Sequence, residues 1–170
     1  EVGGETEEYK HLIGLVNDKK IPAYFLRSGM KIIFSESEYF EILFPDRGVK
    51  NWETNTGSVV GRFVSGERSI LFTGDSPASI EQYLAKAISK KLDVDILKLG
   101  HHGSRTSTTA AYLKATTPSL TLISAGKNNS YGPPHKEVLG LLKQFNIPYI
   151  STQTEGTVTL ETDGVKWYRK

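Results

Sequence analysis

SILFTGDSPASIEQYLAKAISKKLDVDILKLGHHGSRTST, residues 69–108, decides the fold. Ser69–Thr73 reads as a strand that stops at Gly74-Asp75. Ser76 then caps a helix, with Pro77 at the first helical position, where a missing N–H is no loss. Ile80, Tyr83, Leu84, Ala87 and Ile88 recur at helical spacing and make its apolar stripe. Val94–Leu99 is a short buried strand ending at Gly100. His101 to Thr109 is polar and leads into a helix around Ala110–Ala115. Strand, helix, strand, helix is the order of helices packed on a sheet. Polar residues gather just past the strand ends, where loops on a rigid scaffold carry function.

Working outward, Pro118 closes the helix and Ser119–Ser124 is a further strand. Lys127–His135 is a loop rich in turn formers, and His135–Phe145 is an amphipathic helix using Val138, Leu141, Leu142 and Phe145. Tyr149–Thr152, Thr157–Thr162 and Val165–Tyr168 read as strands, the last two joined by the favoured hairpin turn Asp163-Gly164. Upstream, Ser58–Val64 pairs with Ser69–Thr73 across Ser65-Gly66-Glu67-Arg68. Residues 45–57 are a loop, and Tyr39–Phe44 is a strand stopped by Pro45. Ala23–Arg27 and Lys31–Phe34 read as strands around Ser28-Gly29. Residues 1–20 read as a lead-in and a helix capped by Thr6 and ended by Pro22. Hairpins at both ends predict a mixed or antiparallel sheet. No internal repeat, linker or low-complexity tract interrupts the chain, so residues 1–170 form one domain.

At 170 residues the chain is long enough for a core without staples. Lys and Arg number 21 against 19 Asp and Glu, a net charge of +2, which excludes a polybasic DNA wrapper but not a locally basic groove. No apolar run is long enough to span a membrane. With no Cys, disulfide scaffolds, thiolate metal sites and Cys nucleophiles are excluded. Four His leave room for a metal site of nitrogen and oxygen ligands. The chain starts at Glu1 without Met or signal peptide, which suggests that something precedes it.

Three places carry candidate chemistry. At Thr73-Gly74-Asp75 a carboxylate projects past a strand end, suited to ligating a metal; the same Asp75 also fits a turn or helix cap. At Gly100-His101-His102-Gly103-Ser104-Arg105, adjacent imidazoles between glycines offer metal ligation or acid–base catalysis. Ser104, Arg105, Ser107 and Thr108 offer donors to a phosphate or carboxylate. A solvated His-His turn fits the composition equally well. The loop at 126–135 holds Asn129, Tyr131 and His135, with His135 at a helix start, where the dipole disfavours its protonated form; Asn turns and a surface His are the plain alternative. Asn55-Thr56-Gly57-Ser58 is a weaker fourth place. His11 has no partner motif and reads as surface. Lys98, Arg105, Lys114 and Lys127 permit a basic rim for a phosphate backbone. Ser104 has no nucleophile-elbow context, which argues against a Ser-His-Asp hydrolase.

LFTGD at 71–75, DVDILKLGHHGSRTST at 93–108 and SAGKNNSYGPPH at 124–135, in that order, resemble the metallo-β-lactamase fold. Within it they are similar to the C-terminal catalytic domain of ComEC-type competence (DNA-uptake) channel proteins and their stand-alone relatives. NTGSVV at 55–60 and TDG at 162–164 extend the likeness, from about Thr6 to the end. The resemblance implies an α/β fold, the C-terminal portion of an αββα sandwich of mixed sheets with flanking helices. It implies two divalent metal ions, Zn or Mn, with Asp75 as bridging ligand and one of the His101-His102 pair, His102 in preference to His101, as a ligand near the second metal. His101 would orient or contact substrate, making Asp75, His101 and His102 the catalytic group. Ser104, Arg105, Asn129, Tyr131 and His135 would bind substrate. Pro133 stands where the family usually has His.

The family's HxDxDH or HxHxDH motif, which supplies most metal ligands, does not occur in these residues. It is expected upstream of residue 1, so the chain reads as an N-terminally incomplete domain. Uncovered apolar sheet surface, self-association or pairing with the missing segment would follow. The implied function is metal-dependent phosphodiester hydrolysis, a nuclease acting on DNA during uptake. The alternative is a catalytically incomplete binding or interaction module. Expected partners are DNA or another phosphodiester, the missing N-terminal segment or a membrane channel domain, and a second copy of the chain. The expected location is extracytoplasmic or membrane-associated.

Overall fold

The computed structural model describes residues 6–170; the lead-in read over residues 1–5 lies outside them. Six helices and nine strands are present among the described residues: α1 (Glu7–Asp18), β1 (Lys31–Ile33), β2 (Glu38–Phe44), β3 (Val60–Ser65), β4 (Arg68–Phe72), α2 (Ala78–Ala87), α3 (Ser89–Leu92), β5 (Ile96–Lys98), α4 (Ala110–Thr116), β6 (Leu120–Ile123), α5 (Lys136–Gln144), β7 (Tyr149–Ser151), α6 (Thr152–Glu155), β8 (Leu160–Thr162) and β9 (Trp167–Arg169). A 3₁₀ turn covers Gly100–Gly103.

Strands β1 to β7 lie side by side in sequence order in one sheet, and β8 and β9 form a separate hairpin. The first four strands run antiparallel and β4 to β7 run parallel. The sheet is therefore mixed, as hairpins at one end and helical crossovers in the middle require. One face is closed by helices. Leu71, Leu97 and Ile123 of the sheet pack with Ile80 and Leu84 of α2, Leu92 of α3, Tyr112 and Leu113 of α4, and Val138 and Leu142 of α5. Each such buried Leu or Ile side chain contributes about 1.5–3 kcal/mol over leaving it in water.

The other face is less covered. Ile32, Phe40 and Phe63 stand opposite one another across β1, β2 and β3. Phe34 stacks near Phe63 and Phe40 near Phe72, at centroid distances of 6.1 and 6.0 Å. Ile32, Phe34 and Phe72 are exposed, and α1 buries none of its residues. The β8–β9 turn is tied to the β3–β4 turn by the Glu67 N–H, which donates to the Gly164 carbonyl at 2.8 Å.

Several expectations change. Ala23–Arg27 forms no strand: β1 is already the sheet edge, the segment finds no ladder, and Tyr24 and Phe25 lie exposed. Ser76 is not the cap of α2; Pro77 holds that position without a side-chain bond. The reason is tertiary, since the Ala78 N–H donates to the Thr106 carbonyl at 2.8 Å and so needs no capping hydroxyl. Thr152 begins a helical turn capped by Ser151 instead of ending a strand. Thr6 does cap α1, its hydroxyl accepting from the Tyr9 N–H at 3.2 Å.

Candidate functional site

Because β4, β5 and β6 are parallel, their following loops emerge on one edge. Thr73-Gly74-Asp75, the His-His turn and the 124–135 loop thus converge, although up to 60 residues separate them in sequence. Ligand sites of α/β sheets commonly form in this position.

Gly74 makes the Asp75 turn possible. Its φ is +55°, and a Cβ there would stand 3.1 Å from the Ser58 Cβ. The Ser58 hydroxyl accepts from the Asp75 N–H at 3.2 Å, so the Asn55–Ser58 segment supports Asp75 from below. In the next loop, the His101 N–H donates to the Gly74 carbonyl at 3.0 Å and locks the two strand ends together. His101 and His102 both take left-handed backbone conformations, φ +46° and +58°. Such values are costly for side chains with a Cβ and persist only where the surroundings enforce them.

The His102 ring is fixed by its Nδ1–H, which donates to the Ser124 carbonyl at 2.7 Å. A carbonyl only accepts, so Nδ1 carries a proton and Nε2 is the ring nitrogen left facing outward. That Nε2 lies 3.9 Å from the Asp75 Oδ1, with side chains 50% and 41% exposed. A carbonyl behind an imidazole is the usual support of a metal-ligating His. The His101 Nδ1 lies 3.3 Å from the Thr106 Oγ1.

A cavity of about 310 Å³ opens beside these rings, lined by His101, His102, Ala125, Gly126, Asn129, Tyr131 and Pro133. Asn129 lines it but is spent on the loop: its Nδ2 donates to the Gly126 and Pro133 carbonyls and its Oδ1 accepts from the Gly132 N–H, each at 2.9 Å. Tyr131 is 88% exposed at the mouth. His135 stands behind Arg105, its Nδ1 accepting the Arg105 N–H at 3.3 Å, so it too holds a loop. Ser104 is buried, with its hydroxyl 3.0 Å from that of Thr106. Ser104, Arg105 and His135 are therefore near the site but do not line the cavity.

Charged neighbours were less legible. Burial pushes the Lys98 ammonium below its ordinary value, and the nearby Asp75 carboxylate works against that shift. The Lys98 Nζ donates to the Leu99 carbonyl at 2.8 Å. Glu53 is held below the usual carboxylate range by the N–H groups of Asn55 and Thr56, and its charge reaches His101. Lys98 was recognisable as a strand-end cation. Glu53 had no signal beyond its place two residues before Asn55.

Asp75 and His102 supply one oxygen and one nitrogen donor, which fits one edge of a metal site. Among the described residues no three His, Cys, Asp or Glu side chains come together to hold an ion. Zinc sites built by protein alone ordinarily use three or four ligands, so these residues do not make a complete cage.

The fold is a large mixed sheet flanked by helices. A solved structure described as a candidate metal-dependent hydrolase from Parabacteroides distasonis superposes with a TM-score of 0.52 at 15% identity, over 87% of this chain and 62% of that one. The sequence is 38% identical over 104 residues to ComE operon protein 3 of Bacillus subtilis, covering 61% of this chain and 13% of that protein. It is 35% identical over 120 residues to Recombination protein 2 of Haemophilus influenzae, covering 71% of this chain and 15% of that one. It is 34% identical over 132 residues to competence protein ComA of Neisseria gonorrhoeae, covering 76% of this chain and 19% of that one. The matched region thus spans less than a fifth of each of these relatives. No family model matches the chain. No helix among the described residues is long and apolar enough to cross a membrane.

Proposed function

We propose that the chain is the C-terminal part of a metal-dependent phosphodiester hydrolase that cuts DNA during uptake. The observation that carries the reading is the Asp75–His102 pair, with the His102 Nδ1–H tied to a carbonyl and its Nε2 turned toward a carboxylate. Similarity to relatives named for recombination and for competence supports DNA as the substrate. In this reading Asp75 and His102 are ligands in a site for two divalent ions, Zn or Mn. The remaining ligands come from an N-terminal segment of the parent protein. A metal held there by Asp75 and His102 together with those further ligands would supply Lewis acidity. Within this chain, His102 presents its Nε2 beside Asp75, His101 faces the cavity to contact substrate, and Tyr131 rims its mouth. Arg105 and Lys127 offer charge to a phosphate backbone from the loops on this edge. The channel part of a longer parent protein is the proposed neighbour, which places the site at or outside the cytoplasmic membrane.

A second reading is a binding module that keeps the cavity beside His101 and His102 without the chemistry. Elemental analysis after dialysis with Mn²⁺ or Zn²⁺, on the 170-residue chain and on the parent protein, separates the two, with Asp75→Ala as control and DNA cleavage as second readout. Metal and cleavage in the parent protein, both lost in Asp75→Ala, are expected. Metal and cleavage undiminished by Asp75→Ala would refute the assignment, and a metal-free, inactive parent would establish the module.

A further inference from the structure

Glu81 belongs to no motif and does not line the cavity. It sits on α2, completely buried, and no cation pairs with it among the described residues. Its carboxylate accepts the N–H of Thr108 at 2.7 Å and of Thr109 at 2.9 Å. Burial pushes this carboxyl up, against the pull of the two N–H groups. A buried carboxylate is costly unless its bonds accomplish something. Capping α4 does not require it, because the Thr109 hydroxyl already accepts the Tyr112 N–H at 3.2 Å.

The two bonds end the loop that carries the imidazoles. Thr108 has φ +63°, the third left-handed side-chain residue between positions 101 and 108. Next to it, the Ser107 hydroxyl donates to the Ser76 carbonyl at 2.7 Å. One residue further back, the Thr106 carbonyl accepts the Ala78 N–H at 2.8 Å, and the Thr106 hydroxyl touches His101. Glu81, Ala78 and Ser76 thus hold the loop against α2 and the turn before it. Strain at His101, His102 and Thr108 survives only under such external constraint.

We propose that Glu81 is a positioning residue for His101 and His102: it clamps the far end of their loop, and through Thr106 sets the ring of His101 and the turn that aims His102. The inference deepens the hydrolase reading, but its test needs neither metal nor DNA, so either can fail without the other.

The test is NMR of the ring nitrogens in ¹⁵N-histidine-labelled protein, with Glu81→Gln and Glu81→Ala compared with the parent sequence. In the unsubstituted protein His102 shows an Nδ1-protonated ring. Glu81→Gln keeps the volume but sets an NH₂ against a backbone N–H. The His101 and His102 signals are expected to shift and broaden in both variants, with His11 on α1 unmoved and the melt still cooperative. Thr116→Val, a buried change in α4 away from the loop, is expected to lower the melting temperature without moving the two rings. Unmoved His101 and His102 signals in the folded Glu81 variants would overturn the proposal. So would equal movement in Thr116→Val. If Glu81→Ala fails to fold, Glu81→Gln decides; if neither folds, Glu81 is a core residue and the positioning role is overturned.

Discussion

Replacing Gly74 by Ala tests the turn that delivers Asp75. Two penalties follow from the geometry. The residue sits at φ +55°, where an L side chain costs about 1–2 kcal/mol. The new Cβ would also lie 3.1 Å from the Ser58 Cβ and 3.3 Å from both the Ser58 Oγ and the Val59 carbonyl. Two of those atoms belong to the side chain that supports Asp75, and one is backbone, so relief requires the chain just before β3 to move. Overpacking of this kind costs about 1–3 kcal/mol, for a total of about 2–5 kcal/mol. For a domain of this size each kcal/mol lowers the melting temperature by about 2–4 °C, so a drop of about 4–20 °C is expected by calorimetry. Gly140→Ala is the counter-case. It lies inside α5 with nothing within 4 Å of the added Cβ, and should stabilise by about 0.5–1 kcal/mol. Melting of Gly74→Ala within a degree of the unsubstituted protein would refute the account of the turn.

Two further outcomes follow from the site and the surface. His102→Gln should abolish metal uptake by the parent protein whereas His101→Gln should retain it, because only His102 has its Nε2 facing Asp75; elemental analysis distinguishes them, and the reverse pattern would reassign the ligand. Asp46 is held at about 2, chiefly by the Arg47 guanidinium, with the Tyr83 hydroxyl assisting. Its folded value lies below its ordinary 3.8, so its contribution to stability is present above that pH and is lost as pH falls toward 2. Arg47→Gln with Tyr83→Phe should flatten the acid limb of a denaturation profile between about pH 4 and 2, and an unchanged limb would disprove the linkage.

The elements were readable wherever local signals agreed with tertiary demand. The α2 stripe of Ile80 and Leu84 and the apolar run at Ile96-Leu97 are each buried as their periodicity requires. They failed where a pattern met no partner, as in Ala23–Arg27, or where a distant group supplied what a cap would have, as at Ala78. Asp75, His101 and His102 stand out in the sequence because they follow apolar strands beside Gly, and the parallel strands bring them to one edge. Ser104, Asn129 and His135 were singled out by donor chemistry, by position and by the family resemblance. That chemistry is used to build the loops: a polar side chain in a strand-end loop satisfies backbone groups as readily as it meets a ligand.

The amino-acid sequence by itself determined the mixed α/β order, the three strand-end loops and the residues able to act there, since hydrophobic period and Gly-flanked polar clusters are local properties. Tertiary structure decided which of those residues meet. Parallel pairing of β4, β5 and β6 brings their ends to one edge, a carbonyl 22 residues away selects the His102 nitrogen that faces Asp75, and a buried carboxylate on α2 holds the loop. Tautomer, orientation and burial depend on groups distant along the chain, and no window of sequence contains them.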